Sequence, residues 1–558
     1  ALGDEKHRII RTVPRRGYLF DASVEVHDPA NGGEPSRPDH VDDGAGWVFP
    51  SRRVVLGLLL PALALGGAWW WISKPQDAAD PPDQAISNSA PSIAVLPFDD
   101  MSSSGDHEYL ADGIAEEILN LLVQVPGLTV IARTSSFSFK GQNLDATTIA
   151  DRLDVTHLLE GSVRKEGNQV RITAQLVEGA SGAHVWSQRY ERTLDVVFAV
   201  QDEIATAVVE ALRVRLVGGQ RRQHETGTEA YSLYLQARYF FNQATTEGRS
   251  RAVEKLNAAL ALDPGYAPAL AFLAEIYLYQ SNNGERPFDN GFELGRKTAA
   301  EALAIDASSG RAWGTLAYIQ SYYDWDWAAA QSSIAKMLEI ESDTAFSMNV
   351  TATYYSMLGQ FERSLELREQ AIRLDPLSPF FRQSEAYTLM SIGNFQAAES
   401  AMLELLEIYP GHPDAKALLA KARLLQGDAE GALQLLETER SDSKQVATLQ
   451  AIALHRTGQQ EAANEVVASL HQDTSHGAAY ALALYHGGVG ELEQALDYLE
   501  DAVSGRWRVL AYILGEPLLY PLHDEPRWRV VLDQLGLLEY WLEVPAEYGG
   551  PARVQAVP

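Results

Sequence analysis

A repeating interval restricts this chain more than any other feature. Gly359, Gly393 and Gly427 follow one another at 34-residue steps, within LGQFERSLEL, IGNFQAAESA and QGDAEGALQL. Pro376 (LDP) and Pro410 (IYP) keep the same step, with Ser342 (IES) one interval earlier. Weaker units follow at Gly458 (TGQQEAANEV) and Gly490 (VGELEQALDY), and an earlier unit ends at Asp263 and Pro264. A unit of this length holds two helices: glycine relaxes the turn between them, and proline stops the second from running on. Small residues such as Ala398 and Ala432 recur where the paired helices must approach closely. One hairpin cannot cover its own apolar face, so successive hairpins are expected to stack into an all-α solenoid.

Upstream of the repeats the pattern is mixed. Residues 92–98 (SIAVLPF) are apolar and partly β-branched, as in a buried strand. Residues 109–123 place Leu110, Ile114, Ile118, Leu121 and Leu122 on one helical face. A second short strand is expected at 128–132 and a helix at 145–153. Residues 156–165 and 169–177 read as paired strands around a Glu166-Gly167-Asn168 turn. A further strand at 183–192 and an amphipathic helix at 197–216 close the segment. Strands interleaved with helices imply an α/β or α+β domain.

Residues 54–72 (VVLGLLLPALALGGAWWWI) carry no charge; Val54 opens the run and Ile72 closes it. Nineteen helical residues reach about 30 Å, the hydrocarbon thickness of a bilayer, so a single transmembrane helix is expected here. Arg52 and Arg53 precede the run, while Trp69, Trp70, Trp71 and then Asp77, Asp80 and Asp83 follow it. Positive charge marks the cytoplasmic side, so the chain is expected to cross the bacterial inner membrane once, with its N-terminus cytoplasmic and its C-terminal region periplasmic.

Composition narrows the partners. The 558 residues carry a net charge of −30, which does not suit nucleic acid against the bulk surface, although a small basic module is compatible with it. Cysteine is absent, so disulfides, thiolate zinc sites and cysteine nucleophiles are excluded. No P-loop, G-x-S-x-G elbow, H-E-x-x-H helix or dinucleotide fingerprint occurs, so no catalytic residue, metal or cofactor is assigned, and the chain is not expected to be an enzyme. Asp99, Asp100, Asp106, His107 and Glu108 form the one local cluster with acid/base or metal character, in a Ser/Gly-rich loop where exposed carboxylates are ordinary. His184 and Trp186 fall in a strand pattern and read as packing residues. Tyr322, Tyr323, Trp325 and Trp327 (YYDWDW) could line a groove for a peptide or small ligand, with inter-helix packing as the simpler reading.

Four resemblances add to this reading. The 34-residue units resemble tetratricopeptide repeats over 228–505. Residues 91–217, with IAVLPFDDMSSSGDHEYLADGIAEEILNLL, LLEGSVRKEGNQVRITAQLV and VWSQRYERTL, resemble the TolB-like (FlgO-like) α/β domain. The segment EPLLYPLHDEPRWRVVLDQLGL, within a C-terminal cap over 506–558, is similar to the closing part of proteins with that domain. At the other end, ALGDEKHRIIRTVPRRGYLF resembles the end of an OmpR-type winged-helix DNA-binding domain, over residues 1–26. That resemblance implies that Thr12, Arg15 and Arg16 of its wing lie near DNA phosphates or the minor groove, where cations gain from counterion release. The chain opens on Ala1 within this element, so an earlier portion bearing the recognition helix is expected.

With linkers at 27–52 and 74–90 and the membrane helix at 53–73, the arrangement resembles CadC- or ToxR-like membrane regulators. The expected fold class is therefore multidomain: truncated winged helix, single transmembrane helix, α/β domain and tetratricopeptide solenoid. The expected function is one-component signal transduction regulating transcription, with DNA as a partner of the winged helix and proteins or peptides as partners of the repeats. A homodimer is expected by analogy. The alternative is a membrane-anchored interaction scaffold with no DNA role.

Overall fold

A computed structural model of the chain describes residues 10–13, 17–20, 91–103, 105–212, 226–412, 414–437, 443–473, 475–548 and 550. The chain divides into two compact units, Ala1–Ser87 and Asn88–Pro558. In the first, β1 (Ile10–Val13) and β2 (Gly17–Phe20) pair as an antiparallel hairpin with Thr12 opposite Tyr18. Arg15 and Arg16 lie outside the described residues.

The second unit opens with a mixed sheet. Its strands are β3 (Ser92–Val95), β4 (Asp99–Asp100), β5 (Thr129–Val130), β6 (His157–Glu166), β7 (Gln169–Glu178) and β8 (His184–Thr193), in the order β5-β3-β6-β7-β8. The pairs β5-β3 and β3-β6 are parallel, and β6-β7-β8 is an antiparallel meander. Gly167 takes the left-handed φ of +60° that the tight β6-β7 turn requires. Both β3 and β4 pair with β6, interrupted at Pro97, which has no N–H to give to the ladder. Opposite that break, the Phe98 ring lies against Gly161; a Cβ there would stand 2.7 Å from ring carbons, so the site admits no side chain.

Helices α1 (Glu108–Val123) and α4 (Val197–Ala211) cover one face of the sheet, burying Ile114, Ile118, Val200 and Ile204 against Ile93, Val95 and Ile172. A short α2 (Arg133–Phe137) follows β5. On the other face α3 (Ala146–Leu153), capped by the Asp145 carboxylate accepting from Thr148 N–H at 2.9 Å, packs Ile149 and Leu153 on Ala94, Leu96 and Leu158.

From Thr228 onward the described residues contain no strand. Eight helical hairpins follow: α5/α6 (Thr228–Phe241, Thr246–Leu262), α7/α8 (Ala267–Asn282, Phe288–Ile305), α9/α10 (Gly310–Ile319, Trp327–Ile340), α11/α12 (Ala345–Met357, Phe361–Leu374), α13/α14 (Pro379–Ser391, Phe395–Ile408), α15/α16 (Ala415–Leu425, Ala429–Glu437), α17/α18 (Lys444–Arg456, Gln460–Gln472) and α19/α20 (His476–Val489, Leu492–Ser504). The repeating glycines do one job. Gly359, Gly393, Gly427, Gly458 and Gly490 sit at φ of +74°, +75°, +90°, +79° and +85° just past the first helix of a hairpin. The next residue's N–H then bonds back to a carbonyl in the last turn, as in Gln360 to Tyr355, Asn394 to Leu389 and Asp428 to Arg423, at 2.9 Å each. Ala330, Ser364, Ala398 and Ala432, at matching places in successive second helices, are fully buried, because only small residues let the paired helices come this close.

The segment after α20 adds no further hairpin. Two 3₁₀ stretches, Arg508–Gly515 and Pro517–Leu522, lead into α21 (Pro526–Gln534) and α22 (Leu538–Glu543). The 3₁₀ stretches run back along the first helices α11, α13 and α19. Ser391 Oγ donates to the Gly515 carbonyl at 2.7 Å, and Tyr520 donates to the Ser391 carbonyl at 2.6 Å. The buried Lys421 pairs with the partly buried Glu516 at 2.7 Å. Part of the solenoid surface formed by first helices is thus covered by the chain itself.

The expected fold class needs correction. What the described residues show is a mostly helical tetratricopeptide-like solenoid carrying an α/β module. Among them no helix is long and apolar enough to cross a membrane. The longest, α8, has 18 residues and carries Asp289, Glu293, Arg296, Lys297 and Glu301, charges that a hydrocarbon layer would not accept. The expected span bounded by Val54 and Ile72 lies outside the described residues. Single-pass placement in the inner membrane is therefore unsupported, and it forms no part of the functional reading below.

Candidate functional site

Two places bring polar and aromatic side chains together from distant parts of the sequence. The first is the junction of the α/β module with the solenoid. Gly113 of α1 faces Leu235 of α5, and a Cβ there would meet the Leu235 methyls at 2.7 Å, so the Leu235 side chain rests directly on the bare backbone of α1. One apolar core runs from the sheet through α1 and α4 into α5, α6 and α7, including Ile118, Val208, Tyr234, Leu256 and Phe272.

Within this contact Glu116 is buried between two arginines, in short contact with Arg238 and 3.3 Å from Arg133. Burial pushes its carboxyl up, but the flanking Arg238 and Arg133 outweigh that and hold it below the usual carboxylate range. The Arg238 guanidinium also lies over the Tyr234 and Phe272 rings, at 5.6 and 5.8 Å. Nearby, Lys140 pairs with Asp112 at 2.6 Å and with Glu108 at 2.8 Å, and Tyr239 donates to Glu108 at 2.9 Å.

A second tie lies at α2. Asp375, in the turn after α12, accepts from the Ser135 N–H and hydroxyl, while the Leu377 N–H donates to Ser135 Oγ at 2.8 Å. Burial raises the Asp375 carboxyl to about 6, against the pull of the Ser135 and Thr134 hydrogen bonds.

The acidic loop singled out in the sequence serves this architecture. The Asp100 carboxylate accepts from Ser102 N–H and His107 N–H at 2.9 and 2.8 Å and so closes its own loop, while Glu108 belongs to the Lys140 ion pair. Among the described residues no group of histidine and carboxylate side chains could hold a metal ion. His184 is exposed and Trp186 half-buried on the edge strand β8.

The second place is the aromatic stretch after α9, which the structure divides. Helix α9 continues as a π-helical turn, Gln320–Asp324, and the chain then leaves through Trp325, held at the left-handed φ of +60°. Tyr322 is buried and stacks on Tyr318 at 5.0 Å. Tyr323 stacks on Phe292 at 4.9 Å and donates to Asp289 at 2.9 Å; burial and that carboxylate push its hydroxyl up to about 12. These two tyrosines are packing residues.

Trp325 and Trp327 instead line a cavity of about 560 Å³ with Asp326, Asp533, Leu538, Glu539 and Tyr540. Trp327 is anchored by its Nε1 donating to the Leu535 carbonyl at 2.9 Å. Arg506 places its guanidinium 4.8 Å from the Trp325 ring. A second cavity of about 220 Å³ shares Tyr540 and continues along Glu362, Arg363, Glu543 and Tyr548. Half of each wall comes from the C-terminal segment, whose position no local sequence signal announced.

Comparison with known proteins agrees with part of this picture. Residues 88–207 match the second domain of HilA/YgeH-like transcriptional regulators, where a TolB-like domain was expected. Residues 389–453 match the tetratricopeptide repeat. A putative adenylate cyclase 3 from Rhizobium meliloti (strain 1021) is 40% identical over 267 residues, which cover 46% of this chain and 45% of that protein. The transcriptional regulator HilA of Salmonella typhimurium is 22% identical over 328 residues, covering 56% of this chain and 55% of that protein. The chain thus spans about half the length of the curated relatives it matches. A solved tetratricopeptide repeat protein from Parabacteroides merdae overlaps 48% of this chain at 13% identity with a TM-score of 0.34.

Proposed function

We propose that this chain is the partner-binding, regulatory part of a transcription regulator, in which the α/β module and the repeat solenoid act as one body. The observation that carries the reading is the junction. Glu116 with Arg133 and Arg238, and Asp375 with Ser135, tie a domain matched in HilA/YgeH-like regulators onto tetratricopeptide repeats through a buried carboxylate held by two arginines and a buried hydrogen-bonded pair. A partner that shifts the solenoid must therefore shift the module too, because breaking a buried ion pair costs several kcal/mol. Output to DNA belongs in this reading to the N-terminal hairpin and whatever precedes it, with Thr12, Arg15 and Arg16 as phosphate contacts. We assign no catalytic step: the polar clusters at the junction are ion pairs and loop closures already engaged in holding the fold.

The test is a transcript comparison between cells lacking the gene, cells complemented with the whole gene, and cells complemented with Glu116→Gln. A limited set of promoters should change on deletion, return with the whole gene and fail to return with the variant. Transcript profiles that do not differ between the first two strains would sink the regulatory reading. Retained protein binding by the purified chain would then leave the alternative, an interaction scaffold without a DNA role.

A further inference from the structure

Two cavities that share Tyr540 as a wall make up a groove region along the seam between the solenoid and its C-terminal segment. Its walls are aromatic and its rim is acidic. Asp326, Asp533 and Glu539 border the end at Trp325 and Trp327; Glu362 and Glu543 border the other end, and all five carboxylates are in exposed residues. Asp326 caps α10 by accepting from Ala329 N–H at 3.0 Å, and Glu362 accepts from the Tyr548 hydroxyl at 3.0 Å. Asp533, Glu539 and Glu543 make no ion pair among the described residues. The lone cation among the lining residues, Arg363, is turned to Tyr355, stacking on its ring at 4.1 Å and donating to its hydroxyl at 2.9 Å.

Elsewhere the same segment supplies a counter-charge to carboxylates of α20. Arg527 alone reaches Glu493, Asp497 and Glu500, at 3.1, 2.8 and 2.9 Å. The groove carboxylates have no such counter-charge, and the rings beside them suit a cation face-on, as Arg506 over Trp325 already demonstrates. A net charge of −30 adds a long-range field of the same sign.

From this complementarity we infer that the groove binds an extended basic segment of a partner protein. An arginine or lysine side chain lies against Trp325 and Tyr540 while Asp533 and Glu539 receive its charge. The inference rests on the reading of this region as partner-binding and names the chemistry of that partner.

The test uses the full chain and a fluorescein-labelled Arg-Ala-Arg-Ala-Arg peptide, followed by anisotropy, with Glu-Ala-Glu-Ala-Glu as the control peptide. The Asp533→Asn/Glu539→Gln pair should weaken binding about tenfold, and Trp325→Leu several-fold on its own. A second pair, Glu461→Gln/Glu465→Gln, removes the same charge from an exposed part of α18 and should change binding less than about twofold. Equal weakening by both pairs would mean nonspecific attraction to an acidic chain and overturns the inference. So does absence of binding, equal binding of the acidic peptide, or a signal that follows only from self-association of the chain, which would seat a second copy in the groove. The assay reads no transcript, so its failure alongside a positive promoter response removes the groove alone.

Discussion

Asp375 accepts both the backbone N–H and the hydroxyl of Ser135, at 2.9 and 2.5 Å, across a separation of 240 positions in the chain. Neither residue stands out locally: one follows the last turn of a repeat helix, the other sits in a five-residue helix behind a strand. Together with the Ala132 N–H donating to the Leu374 carbonyl at 2.6 Å, they fasten the far side of the α/β module to the middle of the solenoid. The module is held at two widely separated repeats, and that is what makes it part of the solenoid instead of an appendage.

The same contact predicts a pH dependence. Burial raises the Asp375 carboxyl from 3.8 to about 6 in the folded chain. Below 3.8 it is protonated in both states and its contribution is fully present. As pH rises from there through about 6, the unfolded chain ionises first, so this stability is lost, with a ceiling of about 3 kcal/mol for a shift of that size. Asp375→Asn should flatten the dependence of the urea midpoint on pH between 4 and 6. An unchanged slope in the variant would show that Asp375 does not titrate as its surroundings imply.

Glu116→Gln leaves the partly buried Arg238 and Arg133 facing a neutral amide. The expected loss is about 1–3 kcal/mol, because the charge-assisted contacts to Glu116 are lost while Arg238 keeps the Glu117 carboxylate at 3.5 Å. Denaturant titration of the whole chain measures it. A loss below about 1 kcal/mol would mean that Glu117 and water satisfy the arginines without Glu116, as at exposed pairs.

Seating of the C-terminal segment is tested at Gly487. A Cβ there would stand 2.6 Å from the Leu518 carbonyl oxygen, which belongs to backbone and cannot swing away. Gly487→Ala should cost about 1–3 kcal/mol and speed proteolysis between residues 505 and 548 before the module is cut. Trp528→Ala, at a fully buried ring stacked 4.4 Å from His523, should cost about 3–5 kcal/mol. Unaltered proteolysis in the first variant would mean that this segment is held elsewhere.

Much of the architecture was readable because it repeats or alternates locally. The strand expected over 169–177 is found at Gln169–Glu178, and the helix over 145–153 starts just after its Asp145 cap. The glycine step of 34 residues announced a turn between paired helices, and the structure makes it a left-handed cap at Gly359, Gly393 and Gly427. What stayed hidden depends on residues far apart. Nothing around Glu116 indicates that Arg238 will neutralise it, and nothing near Tyr322 indicates that Tyr512 will lie 5.9 Å away. The aromatic stretch was half legible for the same reason. Its composition signalled burial or binding, but the division between Tyr322 and Trp325 is made by a π-turn and by the returning C-terminal segment. The apolar run bounded by Val54 and Ile72 lies outside the described residues, so the described fold offers no helix of the kind expected there.

Native-state hydrogen exchange on the whole chain examines the central claim, that module and solenoid open as one. Amides of Leu159 and Ile172 in the sheet should share one opening free energy with those of Leu235 and Leu256 in the first hairpin, and Glu116→Gln should lower all four together. Sheet amides that keep their protection while the hairpin amides lose theirs would contradict it, and would return the chain to two independent domains.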